Sequence, residues 1–349
     1  MYSAYAAVYF YPSPPAGCGG RLGKGHTRKC RALFEFLPKA SRPANIRDGK
    51  FKPRLCWVAD RVENLTMTTT MKGIPVLHVE ADCIARAWEL SLIELHQKGC
   101  DVKTEYDKPE DPPSKDATMF ITIADPLQEP MIHKDFPGGP VELQEYVMEV
   151  CDGIKDHLVR NPDDPKDTRW EYTYHQRLFK YEVPSLRPYD QIELLCQKLA
   201  KTPHTRRAQA ITWKVWEDNE CYDPACMQSI WCRLLMQNGE LVLSMNVRFR
   251  SNDAYKAAFM NIFALVQLQR RIAGRISELN GRPVTVGRYV HVADSYHIYG
   301  SYFREFEGRF LGALEKRTFE QRTLRYADVR DMMEEARPMI LEKAAGMAH

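Results

Sequence analysis

The amino-acid sequence predicts an α+β fold, and three observations carry the prediction. Ser229 to Met236 and Glu240 to Arg248 flank Asn238-Gly239, a dipeptide that two-residue hairpin turns favour because both positions tolerate positive φ. Elsewhere apolar residues recur at helical spacing, over the longest stretch from about Ala257 to Leu279. Helices and strands are therefore mixed along the chain, with at least one antiparallel pair.

The elements follow in order. Val76, Leu77 and Val79 suggest a short strand. From Ala81 to Lys98 the residues Ile84, Ala87, Trp88, Ser91, Leu92 and Leu95 fall on a helical period, and Gly99 supplies a stop. Met119 to Ile123 alternates as a strand. Val141 to Ile154 reads as an amphipathic helix with Leu143, Tyr146, Val147 and Val150 on one face. A third helix spans Tyr189 to Lys201, and Ala208 to Val215 reads as a strand leading to the hairpin. After the long helix come a strand over Tyr289 to Val292 and an amphipathic helix over Asp328 to Ala345.

Residues 1–72 differ. Pro and Gly cluster at 12–25, basic residues scatter after them, and a polar run Thr66 to Thr70 follows without a period. A poorly ordered extension is expected there, with the folded domain over 73–349. A chain of 349 residues can bury a sizeable core. Its net charge of +3 is too weak to argue for nucleic acid. No apolar run approaches the roughly 18 residues of a membrane helix. The ten cysteines are irregularly spaced and form no C-x-x-C pair, and Cys221, Cys226 and Cys232 are not spaced like a zinc site, so no metal is expected. Reduced cysteines in the cytoplasm are the expectation.

Chemistry concentrates around Cys226, in Asp223-Pro224-Ala225-Cys226-Met227-Gln228, directly before a hairpin strand. A free thiol is only a few per cent thiolate at neutral pH, so a reactive one needs cations nearby. Three further stretches supply candidates. Thr205-Arg206-Arg207 stands at the mouth of a strand, where guanidinium forks can clamp a phosphate. Arg250-Ser251-Asn252-Asp253 ends the hairpin, with Asn261 beyond it, and His297-Ile298-Tyr299 follows a strand.

In this order and spacing these stretches, with Tyr172 to Leu178 and Asp190-Gln191-Ile192, resemble the thymidylate synthase family and its pyrimidine nucleotide hydroxymethylases. The likeness is nearest to the divergent archaeal-type and antibiotic-pathway branches, and it covers about Lys115 to Phe303. It implies transfer of a one-carbon unit from 5,10-methylenetetrahydrofolate to C5 of a uracil nucleotide, dUMP or UMP. Cys226 would attack C6, and Arg250 would bind the phosphate and support the thiolate. Ser251 would donate to the phosphate, and Arg206 and Arg207 would reach it from a second subunit, which makes a homodimer part of the expectation. Asn261 would read the base edge, donating to O4 and accepting from N3–H. His297 and Tyr299 would hold the sugar hydroxyl, Asp253 the pterin, and Tyr174 (in second place Tyr172) would assist proton removal from C5.

The sequence also departs from the family pattern. Met227 follows the nucleophile where the common bacterial form has His. The interval from Cys226 to Arg250 is longer, although lengthening each hairpin strand by an even count keeps the same side chains facing the site. The general-base glutamate is left open among Glu145, Glu149 and Glu89, since a gap-free reading puts Tyr146 in its place. The helix over Asp328 to Ala345 stands where the family has a short apolar tail that closes over folate. Lys115 precedes its strand much as the family's mobile phosphate-binding arginine does, but a solvated lysine is the favoured reading. A 5-hydroxymethylase, quenching the same intermediate with water, is one alternative, and a non-catalytic nucleotide-binding protein is another. Ribose against deoxyribose is undecided.

Overall fold

The computed structural model describes residues 72–161, 164 and 166–347, so the extension expected over 1–72 lies outside the described residues apart from Lys72. The fold is built on a seven-stranded mixed sheet. Its strands are β1 (Val76–Ala81), β2 (Cys100–Val102), β3 (Ser114–Ile123), β5 (Gln209–Ile211), β6 (Met227–Gln237), β7 (Glu240–Asp253) and β8 (Val284–Ile298). They run in the order β1-β3-β8-β7-β6-β5, with β2 beside β3. The pairs β1–β3 and β7–β8 are parallel and the others antiparallel, so the sheet is mixed and largely antiparallel, in keeping with the α+β class. A two-residue strand β4 (Ile132–His133) pairs separately with β9 (Thr323–Leu324).

Alternation on the strands decides which face is covered. On β7, Leu241, Leu243, Met245, Val247 and Phe249 are buried, while Val242, Ser244 and Asn246 between them are half-exposed and Arg248 is exposed. The covered face packs α1 (Ile84–Lys98), α2 (Pro140–Asp152), α4 (Gln191–Lys201) and α6 (Ala258–Asn280). Near-continuous burial along α6, with Phe259, Ile262, Phe263, Val266 and Ile276 all at or below 1 % exposure, makes it the central helix. Asn238 and Gly239 both have positive φ, 50° and 86°, as their hairpin turn demands. Helix ends also obey local chemistry: the Asp190 side chain accepts from Glu193 N at 2.8 Å, and Gly153 and Gly281 end α2 and α6 in the left-handed conformation.

Two expectations need correction. Of the strand expected over Ala208 to Val215 only Gln209–Ile211 is regular strand, with Thr212 N still donating to Gln228 O at 3.1 Å, and the chain then turns into the short helix α5 (Val215–Asp218). At that turn the buried guanidinium of Arg177, on the short helix α3 (Tyr174–Phe179), donates to Thr212 O at 3.1 Å and to both Asp218 carboxylate oxygens at 3.0 Å, which ties α5 to the end of the strand. The single helix expected over Asp328 to Ala345 is two, Tyr326–Glu335 and Arg337–Gly346. Pro338 opens the second, because proline has no N–H to continue the first. Three bulges were not legible from alternation: one in β6 at Gln228, two residues after Cys226, and two in β8, opposite Thr118 of β3 and opposite Ser244 of β7.

Among the described residues no helix is long and apolar enough to cross a membrane, and no cluster of metal-ligating side chains occurs. The described cysteines are unbridged.

Candidate active site

Cys226 sits where β6 begins, and two neighbouring elements hold its backbone. Its N–H donates to Tyr172 Oη at 3.2 Å, and the next N–H, of Met227, donates to Tyr174 Oη at 3.3 Å. From the facing strand β7, Arg250 N donates to Cys226 O at 2.8 Å. The Arg250 guanidinium is anchored on the carbonyls of Pro224 (2.6 Å) and Ala225 (3.2 Å), which leaves one nitrogen 3.6 Å from Cys226 Sγ. Burial pushes the Cys226 thiol above its ordinary value; Arg250 pulls it down and Asp223 pushes it up. The resting group is thus a thiol with a fixed cation beside it.

Two adjoining cavities meet at this residue. One, of about 440 Å3, brings Cys226 together with Tyr174, Ser251, Asp253, Asn261, His297 and Tyr299. The other, of about 670 Å3, adds Arg250, Lys103 and Asp116 and shares Cys226, Ser251, His297 and Tyr299. Eight of the ten predicted residues therefore converge. Arg206 and Arg207 do not: both are exposed, between α4 and β5, and line neither cavity.

Burial sets the protonation of several groups here. It lowers His297 to about 4, so the imidazole is neutral at physiological pH, with Nδ1 3.3 Å from Ser295 Oγ. It raises Asp253 to about 6 against two backbone donors, Tyr255 N (3.0 Å) and Lys256 N (2.8 Å), at the start of α6. It also raises Asp116 to about 6, although Ser295 Oγ donates to one carboxylate oxygen at 2.9 Å. The other Asp116 oxygen is buried without a partner.

The three glutamates left open by the sequence now separate. Only Glu149 among them lines the cavity, its carboxyl held up by burial against Lys155 at 2.9 Å. Glu145 turns away to Lys155 (2.8 Å) and Lys343 (2.7 Å), whose hydrogen bonds outweigh its burial and lower it. Glu89 is corrected to a structural role: at 1 % exposure it pairs with Arg86 and Arg322, both at 2.7 Å, and meets His133 at 3.1 Å. Lys115 pairs with Asp101 at 2.7 Å and lines neither cavity, in keeping with the surface reading, whereas Lys103 lines one of them.

Sequence reasoning ranked Tyr172 behind Tyr174, yet Tyr172 is the one bonded at Cys226 itself. It missed Asp116, which lies ahead of the strand read from alternation and inside β3 only in the structure, and Glu171, which carried no signal. Tyr146 was flagged by its position, and its hydroxyl proves to donate to Asn261 Oδ1.

A family model, Thymidylate synthase, matches residues 136–336, more than half of the chain. The chain belongs to the thymidylate synthase family. Its relatives include a candidate thymidylate synthase of Methanocaldococcus jannaschii, 29 % identical over 64 % of this chain and 91 % of that one. Another, from Methanopyrus kandleri, is 30 % identical over 65 % of this chain and 95 % of its own. Among solved structures, the thermostable thymidylate synthase A from Bacillus subtilis matches over 66 % of this chain and 84 % of its own, at 17 % identity and a TM-score of 0.49. Family membership makes the protein a one-carbon transferase by type.

Proposed function

We propose that the protein transfers a one-carbon unit from 5,10-methylenetetrahydrofolate to C5 of a uracil nucleotide, dUMP or its ribose counterpart UMP, through a covalent bond from Cys226 to C6. The observation that carries this reading is the placement of Cys226 Sγ 3.6 Å from the Arg250 guanidinium, at the edge of a cavity also lined by Asn261, His297 and Tyr299.

The chemistry follows from these groups. C5 of uracil becomes nucleophilic only after sulfur adds at C6, so the thiol proton must leave as the bond forms. Arg250 supports the developing thiolate, and Glu149 is the cavity carboxyl able to take up and return a proton. The folate supplies the carbon and the hydride. Asp253, a cavity carboxyl able to accept or donate near neutral pH, fits a pterin ring edge. Tyr174 and Tyr172 stand beside the nucleophile to assist loss of the C5 proton, after which Cys226 departs. Ser251 and Arg250 hold the phosphate from this protomer, with Arg206 and Arg207 completing it from a partner in a homodimer. The sheet face that no described helix covers supports that pairing: it presents Trp231 and Leu235, and Trp231 Nε1 donates to Arg206 O at 3.1 Å, tying the arginine pair to the face.

Release of tritium from 5-tritiated dUMP and UMP in the presence of the folate tests the reading. Release is expected from the native protein and none from Cys226→Ala; release by the variant at the native rate, or no release from the native protein, would overturn it. The product mass then decides between a methyl group and the hydroxymethyl group of a water-quenched intermediate.

A further inference from the structure

Asn261 lies on α6 at 5 % exposure and lines the cavity beside Cys226. Its side-chain oxygen accepts from the Tyr146 hydroxyl on α2, and among the described residues its amide nitrogen has no hydrogen-bond partner. A phenol oxygen shares its lone pairs with the ring and is a better donor than acceptor. Burial pushes the Tyr146 hydroxyl well above its ordinary value, so it stays protonated and keeps donating. Reversing the amide would set its N–H2 against that donor.

We infer that Tyr146 is a specificity-determining positioning residue, fixing the Asn261 amide so that its N–H2 faces the substrate and selects a pyrimidine with a C4 carbonyl over one with a C4 amine. This rests on the nucleotide reading above and deepens it. Uracil offers an acceptor at O4 and a donor at N3, and the pinned amide meets both, because Oδ1 keeps a second lone pair after accepting from Tyr146. Cytosine offers a donor at N4 and an acceptor at N3, which requires the amide turned over. Turning it sacrifices the Tyr146 bond and opposes two donors. Tyr146 itself touches Asn261 rather than the reacting atoms.

The decisive variant is Tyr146→Phe, which keeps the ring and removes only the hydroxyl. The loss of one neutral hydrogen bond predicts that the dUMP:dCMP ratio of kcat/KM for tritium release falls by about five- to tenfold. The fall should arise through improved use of dCMP as well as poorer use of dUMP. A general loss of packing would lower both substrates alike and leave the ratio unchanged. An unchanged ratio in a folded variant overturns the inference while leaving the functional reading intact; failure of the native protein with every nucleotide overturns the functional reading itself. Should the variant not fold, the native protein decides through binding. A 2-pyrimidinone nucleotide, lacking the C4 oxygen, and dCMP should each bind at least about tenfold more weakly than dUMP, and equal binding of the three would refute the role.

Discussion

Replacing Asp116 by asparagine should change how the stability of this protein depends on pH. Asp116 is 7 % exposed, on β3 opposite His297, with one oxygen bonded to Ser295 Oγ and the other unpartnered. Burial raises its carboxyl from the ordinary 3.8 to about 6. Because the folded-state value lies above the unfolded one, the folded protein holds this proton more tightly. The associated stability is fully present below pH 3.8 and is lost as pH rises through about 6. In full the loss is about 3 kcal/mol, with about half of it still to be lost between roughly pH 5 and pH 7.5. Asp116→Asn retains an oxygen for Ser295 and has no proton to lose. Urea unfolding of both proteins at about pH 5 and about pH 7.5 should show the variant gaining on the native protein by about 1–1.5 kcal/mol at the higher pH. The similar rise at Asp253 is common to both proteins and cancels. Parallel stability curves would refute the reasoning, since they would mean that the carboxylate is not disfavoured in the fold.

Three more outcomes follow from buried partners. Asp218→Ala leaves the Arg177 guanidinium, at 2 % exposure, with Thr212 O and a partly exposed Glu217; it should lower stability by roughly 3–5 kcal/mol, and a denaturation midpoint near the native one would contradict the pairing. Glu89→Gln and Glu149→Gln should separate structure from chemistry. The first strands the buried Arg322 charge and costs roughly 3–5 kcal/mol, with the folded protein still releasing tritium; the second slows release with a smaller stability change, and the opposite pattern would reverse the roles given to them. Gly153→Ala forces a side chain at φ 67°, with its Cβ 2.2 Å from His175 Nδ1, at the end of the helix that carries Tyr146 and Glu149. It should cost at least about 1 kcal/mol in urea unfolding, and a neutral result would show that the helix end relaxes freely.

Much of this protein was legible in its sequence because the signals were local. The Asn238-Gly239 turn and the apolar face of α6 each act through near neighbours, and the structure has both. The nucleophile and its supporting set were legible for a different reason, as ordered motifs whose spacing resembles a family. What stayed hidden depended on contacts distant in sequence. Arg177 binds Thr212 O and Asp218 where a strand that periodicity alone extends gives way to α5, and α2 turns Glu149 into the cavity while Lys155 and Lys343 hold Glu145 away. Asp116 and Lys103 join the site only because β2 and β3 fold back beside β8. Composition and motif therefore determined which residues could do chemistry here. The tertiary structure decided which of them share a cavity, because burial and charge pairing depend on neighbours that linear order does not reveal.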